Sequence, residues 1–329
     1  MIEAKWDAID RGGDFQGGIV AALDWRNKIG GNAEPAFFQF QTGSGWPTDF
    51  VYPSWDPWLS SLYWEQHVGK DKFVFRVGNQ VAPQFIDFFR YKDGRTSFTG
   101  SPYTAAPAAM PSPAPGFGAS FRWTPFDDSE LYLVGTLNDM NADVDEFDWD
   151  NVFDYSQFFY GFEIGKNWRR GKGDFDHLHL TLFYADKVDT SPPFFANKAG
   201  GGFKLAGEKQ WNRLVGFGSY TYNTAEGGSF GVTVLRQAIN AGFAVNRPLN
   251  IGGEVGVGFS WAEPQDGVSL VGIPQAQPVK DQYGMEIYWK MLVTGDLWVT
   301  PTLQVIINPT YNPTTESVVV PGLKFRFFL

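Results

Sequence analysis

Seven charged residues, Glu65, Arg76, Arg122, Glu163, Glu286, Lys290 and Arg326, lie within runs of apolar and aromatic residues, on the parity opposite to the aliphatics. In Tyr283-Gly284-Met285-Glu286-Ile287-Tyr288-Trp289-Lys290-Met291, every aliphatic side chain falls on one parity and both charges on the other. His179, Arg236, Glu254 and Lys324 share that charged parity in their own segments. A planar guanidinium holds two hydroxyl oxygens at once, and a carboxylate accepts from several hydroxyls. Charges of both signs on facing walls of a wet space therefore order water and offer paired donors and acceptors to polyhydroxylated solutes. A second group lies in Gln84-Phe85-Ile86-Asp87-Phe88-Phe89-Arg90-Tyr91-Lys92-Asp93. Here flat aromatic faces alternate with Asp87, Arg90 and Lys92; Phe89, Arg90 and Tyr91 are the expected constriction residues.

Covalent and metal chemistry find less support. His177 and His179 share a strand face, a spacing that holds a metal only if a third ligand approaches. Asp174 and Asp176 are near in sequence, but the pair reads as polar lining, with no metal and no cofactor. Glu163 and Glu286 have the side chains of a glycosidase acid–base pair, yet nothing in the sequence pairs them. No nucleophile elbow, P-loop or dinucleotide fingerprint occurs, so the chain is not expected to be an enzyme. The acidic runs Asp143 to Asp150 and Glu263 to Asp266 read as solvated loop surface, with Ca²⁺ or lipopolysaccharide bridging as the sharper alternative.

Period-two alternation places these residues on strands and recurs along nearly the whole chain. Sixteen segments fit: 2–9, 15–26, 34–42, 59–67, 72–80, 116–124, 129–138, 156–168, 175–186, 199–208, 212–223, 230–246, 250–261, 281–294, 297–308 and 317–328. Most approach the 9–11 residues of a tilted membrane-crossing strand. Short connections such as Gly69-Lys70-Asp71 and Gly295-Asp296 alternate with longer ones such as 43–58 and 81–115. That asymmetry belongs to a transmembrane antiparallel up-and-down β-barrel with short periplasmic turns and long extracellular loops. Trp6, Trp25, Trp64, Trp123, Trp168, Trp261, Trp289 and Trp298 sit near strand ends, where aromatic girdles meet the lipid–water boundaries. An even strand count puts both termini on the periplasmic side. Residues 1–329 read as one barrel domain.

Composition agrees. Aromatics make up 17% and charged residues 19%, with 38 Gly and no Cys. A net charge of −10 and a pI near 4.8 argue against a nucleic-acid partner. No apolar stretch is long enough for a membrane-spanning helix, and the mean hydropathy of −0.24 is what one greasy and one wet face would average. No export signal precedes Met1, so the sequence reads as a mature or truncated form.

The pair Leu62-Tyr63-Trp64-Glu65-Gln66 and Phe73-Val74-Phe75-Arg76-Val77-Gly78, separated by a short turn, resembles the carbohydrate-selective porin (OprB-type) family. Gly116-Phe117-Gly118-Ala119-Ser120-Phe121-Arg122-Trp123-Thr124-Pro125, Asp281-Gln282-Tyr283-Gly284-Met285-Glu286 and Leu303-Gln304-Val305-Ile306-Ile307-Asn308-Pro309 extend the resemblance along the chain. It implies a sixteen-stranded barrel in the outer membrane that passes monosaccharides down their gradients without catalysis. The sequence departs from the pattern before the first strand and at its last residue, Leu329, where Phe is usual. Residues 81–115 take the place of the loop that folds into the lumen. The alternatives are a general or anion-preferring porin, favoured if Arg76, Arg122, Lys324 and Arg326 converge, and, less favoured, an outer-membrane hydrolase or surface adhesin. Outer-membrane lipid and lipopolysaccharide are the expected surroundings, with either a homotrimer or a monomer.

Overall fold

In the computed structural model, residues 2–327 are described except 12–13, 28–33, 36–37, 50–54, 105–108, 127–129, 143–149, 172–173, 189–197, 227–234, 249–251, 267–278 and 313. The strands are β1 (Ile2–Asp10), β2 (Phe15–Arg26), β3 (Trp55–Val68), β4 (Phe73–Gln80), β5 (Gly116–Trp123), β6 (Leu131–Asp139), β7 (Phe158–Gly171) and β8 (Asp174–Ala185). They continue as β9 (Gly200–Trp211), β10 (Leu214–Asn223), β11 (Leu235–Asn246), β12 (Gly253–Pro264), β13 (Gln282–Leu292), β14 (Leu297–Ile307) and β15 (Ser317–Phe327). Each pairs antiparallel with its chain neighbours alone, giving one up-and-down sheet in sequence order. Two short helices, α1 (Phe38–Thr42) and α2 (Asp150–Tyr155), lie in connections.

Among the described residues no strand forms within the expected 34–42, and fifteen strands are found rather than sixteen. Phe38-Gln39-Phe40-Gln41 alternates in type, but α1 buries Gln39 and Thr42, three residues apart, on one helical side. Gly43 follows with a φ of +73° and donates its N–H to the Gln39 carbonyl, ending the helix in the left-handed conformation that glycine adopts most readily. β2 and β3 are therefore joined by one long connection. Short turns then follow every odd-numbered strand and long connections every even-numbered one, so residues 81–115 follow β4 rather than a fifth strand. The termini are also corrected: β15 ends on the short-turn side, whereas Ile2 begins β1 on the long-connection side. The edge strands β1 and β15 thus run in the same direction.

The sheet is strongly curled. Phe85 covers the Arg76 guanidinium on β4 at 4.7 Å, and Asp93 binds Arg326 on β15 at 2.9 Å. In a flat sheet β4 and β15 would lie about 53 Å apart, at about 4.8 Å per strand. Eight residues of chain reach about 28 Å at most. The sheet must wrap around the segment that touches both.

Outward parity carries Leu137, Phe162, Leu182, Leu205, Phe243, Phe259, Ile287 and Phe325, all exposed. Trp123, Trp168, Trp211 and Trp289 mark the short-turn rim, and Tyr160, Tyr184 and Tyr283 the opposite rim. These are the apolar band and girdles of a bilayer-crossing barrel. Ile287→Arg, on the outward face of β13 at 38% exposure, is expected to impair folding into lipid by about 2–4 kcal/mol if it lies near the midplane. Folding yield into vesicles, followed by heat-dependent electrophoretic mobility, measures it; wild-type yield would reverse the facing assigned to this strand.

Candidate functional site

The inward face is polar because alternation delivers it so, and two connections fold onto it. The first is 38–49. Gln282 accepts from the Gly45 N–H (2.8 Å) and donates to Ser44 Oγ (2.9 Å), while Gln304 donates to the Thr48 carbonyl (2.7 Å). The second is the segment after β4. It touches the first directly, the Ser101 N–H donating to the Pro47 carbonyl at 3.0 Å.

Two buried carboxylates on opposite parts of the wall hold this second segment by its backbone. Glu163 on β7 accepts from the Asp87 N–H at 2.7 Å, and also from the Tyr132 (2.9 Å) and Thr181 (2.7 Å) hydroxyls. Glu286 on β13 accepts from the Thr99 and Gly100 N–H groups at 2.7 and 2.9 Å. At its apex Asp87 has a φ of +58° and meets His179 at 3.0 Å and Lys204 at 2.7 Å. Burial opposes ionisation of Asp87, but Lys204, His179 and Lys92 outweigh it and hold its carboxyl well below the usual range. Lys92 donates to the Ile86 and Asp87 carbonyls, both at 2.9 Å; burial lowers its ammonium to about 8 against the pull of Asp87. Ile86 packs over Gly161, where a Cβ would stand 2.6 Å from its Cδ1.

The remaining predicted residues fall into separate groups. Arg76 donates to Glu65 at 2.7 Å, and its guanidinium lies between the Tyr63 and Phe85 rings. Glu65 also accepts from Lys5 (3.1 Å) and contacts His67 (2.9 Å). Arg90 donates to Gln210 (2.7 Å) and lies 3.6 Å from Glu208. Lys290 lies 3.5 Å from Glu254, Arg326 binds Asp93, and Lys324 donates to the Gly94 and Ser97 carbonyls and to Thr99. Arg122 lies over the Tyr132 ring at 4.6 Å. Arg236, by contrast, pairs with Glu263 and Asp266 at the long-connection end. Lys324 and Arg326 on β15 are thus tied up in the strap rather than converging with Arg76 and Arg122 on β4 and β5.

Within the aromatic run, Tyr91 is 2% exposed and packs with Phe89, Phe98 and Tyr103 on Phe217. Phe88 is half-exposed, at 45%, and meets His177 edge-on at 5.5 Å. Phe89 beside it is the same residue type, so nothing in the linear sequence sets it apart. Lys204 and Glu208 were legible by parity, opposite Phe203 and Leu205, but were passed over. His177 and His179 bond to each other (3.1 Å), and to Tyr132 (2.7 Å) and Asp87 respectively. Among the described residues no group of three or more His, Asp or Glu side chains could hold a metal. The acidic run from Asp143 lies mostly outside the described residues.

A curled up-and-down sheet with an inner polar face and inward straps narrows the comparison to outer-membrane channels. The structure of OprB from Pseudomonas putida at high pH superposes with a TM-score of 0.68 at 14% identity, covering 95% of this chain and 87% of that one. The fold is that of the outer-membrane porins. The outer-membrane channel DcaP of Acinetobacter baumannii matches at a TM-score of 0.56 and 8% identity, over 99% and 83% of the two chains. No family model matches the sequence, and no curated protein does.

Glu286→Ala is expected to leave the Thr99 and Gly100 N–H groups without their acceptor, at about 1–3 kcal/mol each if they stay dry. Tryptic cleavage after Arg95 in the reconstituted protein should rise. For Asp87, a folded carboxyl below its ordinary value of 3.8 gives stability that is complete above that value. It is lost as pH falls through the folded value. Pepsin cleavage of residues 85–95 should therefore rise only in strong acid, and Asp87→Asn should flatten that dependence.

Proposed function

We propose that this chain is a passive outer-membrane channel for small neutral carbohydrates. The observation that carries the reading is the strap after β4, drawn across the barrel interior by Glu163, Glu286 and Asp87. Such a strap narrows the passage and fixes paired charges and rings beside it. Arg76 with Glu65, Arg90 with Glu208 and Gln210, and Lys290 with Glu254 offer donors and acceptors of both signs. Neutral hydroxyls suit such pairs, because exchanging water for a sugar leaves each charge solvated. Phe88 offers an apolar face to the carbon side of a ring. The porin fold supports passage without energy coupling; choice among solutes rests on the lining.

Liposome swelling with glucose, a disaccharide, an amino acid and a small anion at equal osmolarity tests the reading. Glucose is expected to enter fastest. Rates ordered by size alone would mark a general porin, and fast anion entry an anion-preferring one.

A further inference from the structure

We infer that Arg122 receives the carboxylate of an acidic sugar, an aldonate or uronate, so that the channel takes singly charged sugar acids as well as neutral sugars. The inference rests on the carbohydrate-channel reading above and extends it. Its starting point is the pairing of charge on the inner wall. Among the described residues, every other cation on the inward strand face meets a carboxylate or the carbonyls of the strap. Arg122 is exposed and has only the Tyr132 ring beneath it.

Among the described residues its neighbours do not supply the missing anion. In the register of β4 and β5, Arg76 is opposite Ser120 and Val74 opposite Arg122, so the two guanidinium-bearing residues are diagonal neighbours. Diagonal positions lie within reach of long side chains, and like charges there repel. Glu65 offsets one of them only: its Oε2 takes the Arg76 Nε, while its Oε1 is shared by Lys5 and His67. Glu163, the nearest carboxylate beyond Tyr132, is buried and occupied by the Asp87 N–H and two hydroxyls. With Asp7 also set against Lys5, one unit of positive charge is left over, which fits a monoanion better than a doubly charged phosphate ester.

The guanidinium is also held in place. Tyr132 is 3% exposed and fixed through its hydroxyl to Glu163 and His177, so the ring under Arg122 is rigid. Stacking on an aromatic face leaves the planar fork of N–H groups free at its edge, the geometry that pairs with a carboxylate through two parallel hydrogen bonds. At its hydroxyl end Tyr132 meets His177, which in turn touches the half-exposed Phe88 ring. A guanidinium and an exposed aromatic ring thus flank one rigid pair, suiting a solute with a carboxylate at one end and a carbon face at the other.

Uptake of radiolabelled gluconate and glucose into proteoliposomes, for wild type, Arg122→Gln, Arg122→Lys and Arg213→Gln, tests this. Heat-dependent mobility verifies that each variant is folded. The gluconate-to-glucose ratio is expected to fall about tenfold in Arg122→Gln, the effect of losing about 1.4 kcal/mol from one charge-assisted contact. Arg122→Lys, which keeps the charge but not the fork, should lie between. Arg213→Gln, on the turn between β9 and β10, should leave the ratio as it is. An unchanged ratio in Arg122→Gln, or an equal fall in Arg213→Gln, would overturn the assignment, as would a parallel loss of chloride conductance. Wild-type vesicles that admit gluconate but not glucose would defeat the neutral-sugar reading and leave Arg122 standing.

Discussion

A chain segment that crosses the inside of a barrel must find partners for its own backbone, and here the partners are carboxyl side chains on the wall. Glu163 and Glu286 each accept main-chain N–H groups from the same strap, at sites six strands apart in the sheet. Ordinary strand pairing cannot do this, because every inner strand is already bonded on both edges. Only side chains project inward. Their acceptor geometry therefore decides where the strap lies, and with it which rings are buried and which stand open.

That arrangement also settles how so much charge is accommodated beneath the surface. A buried charge is costly unless paired and hydrogen-bonded. The strap supplies the pairing from its own residues: buried Asp87 meets Lys204 and His179. Its carbonyls receive Lys324. Each contact satisfies a wall charge and fixes a strap residue together, so strap and wall are mutually required. The aromatic cluster of Tyr91, Phe98, Tyr103, Phe217 and Tyr288 fills the space between the two carboxylate anchors. It contributes burial where the polar contacts contribute position.

Much of this was legible in the sequence, since period-two alternation needs only neighbouring residues to be read. Inward parity for Glu65, Arg76, Arg122, Glu163, Glu286, Lys290 and Arg326 followed from it directly, and all seven lie on that face. The failures came where residue type and geometry part company. Phe38-Gln39-Phe40-Gln41 alternates like a strand, yet the left-handed Gly43 closes it as a helix. Tyr91 and Phe88 are both aromatic and three residues apart, but only the fold of the strap decides that one is buried on Phe217 and the other half-exposed beside His177. Partners such as Lys204 for Asp87 are 117 residues apart, and no local pattern links them.

The misread segment has a consequence beyond itself. Removing one strand from the count changes the direction of everything before it, so β1 starts on the long-connection side and runs parallel to β15. Antiparallel neighbours exchange bonds perpendicular to the strands, whereas a parallel pair needs slanted, evenly spaced ones and a different side-chain register. Among the described residues β1 and β15 form no ladder, while the other fourteen neighbouring pairs do. Exposed residues line both edge strands, from Ile2 and Trp6 to Val319 and Phe325. The strap links distant parts of the sheet: Lys324 and Arg326 tie β15 to it, and Phe85 ties it to Arg76 on β4. Contacts through the interior thus help to fix the curvature of the sheet from within.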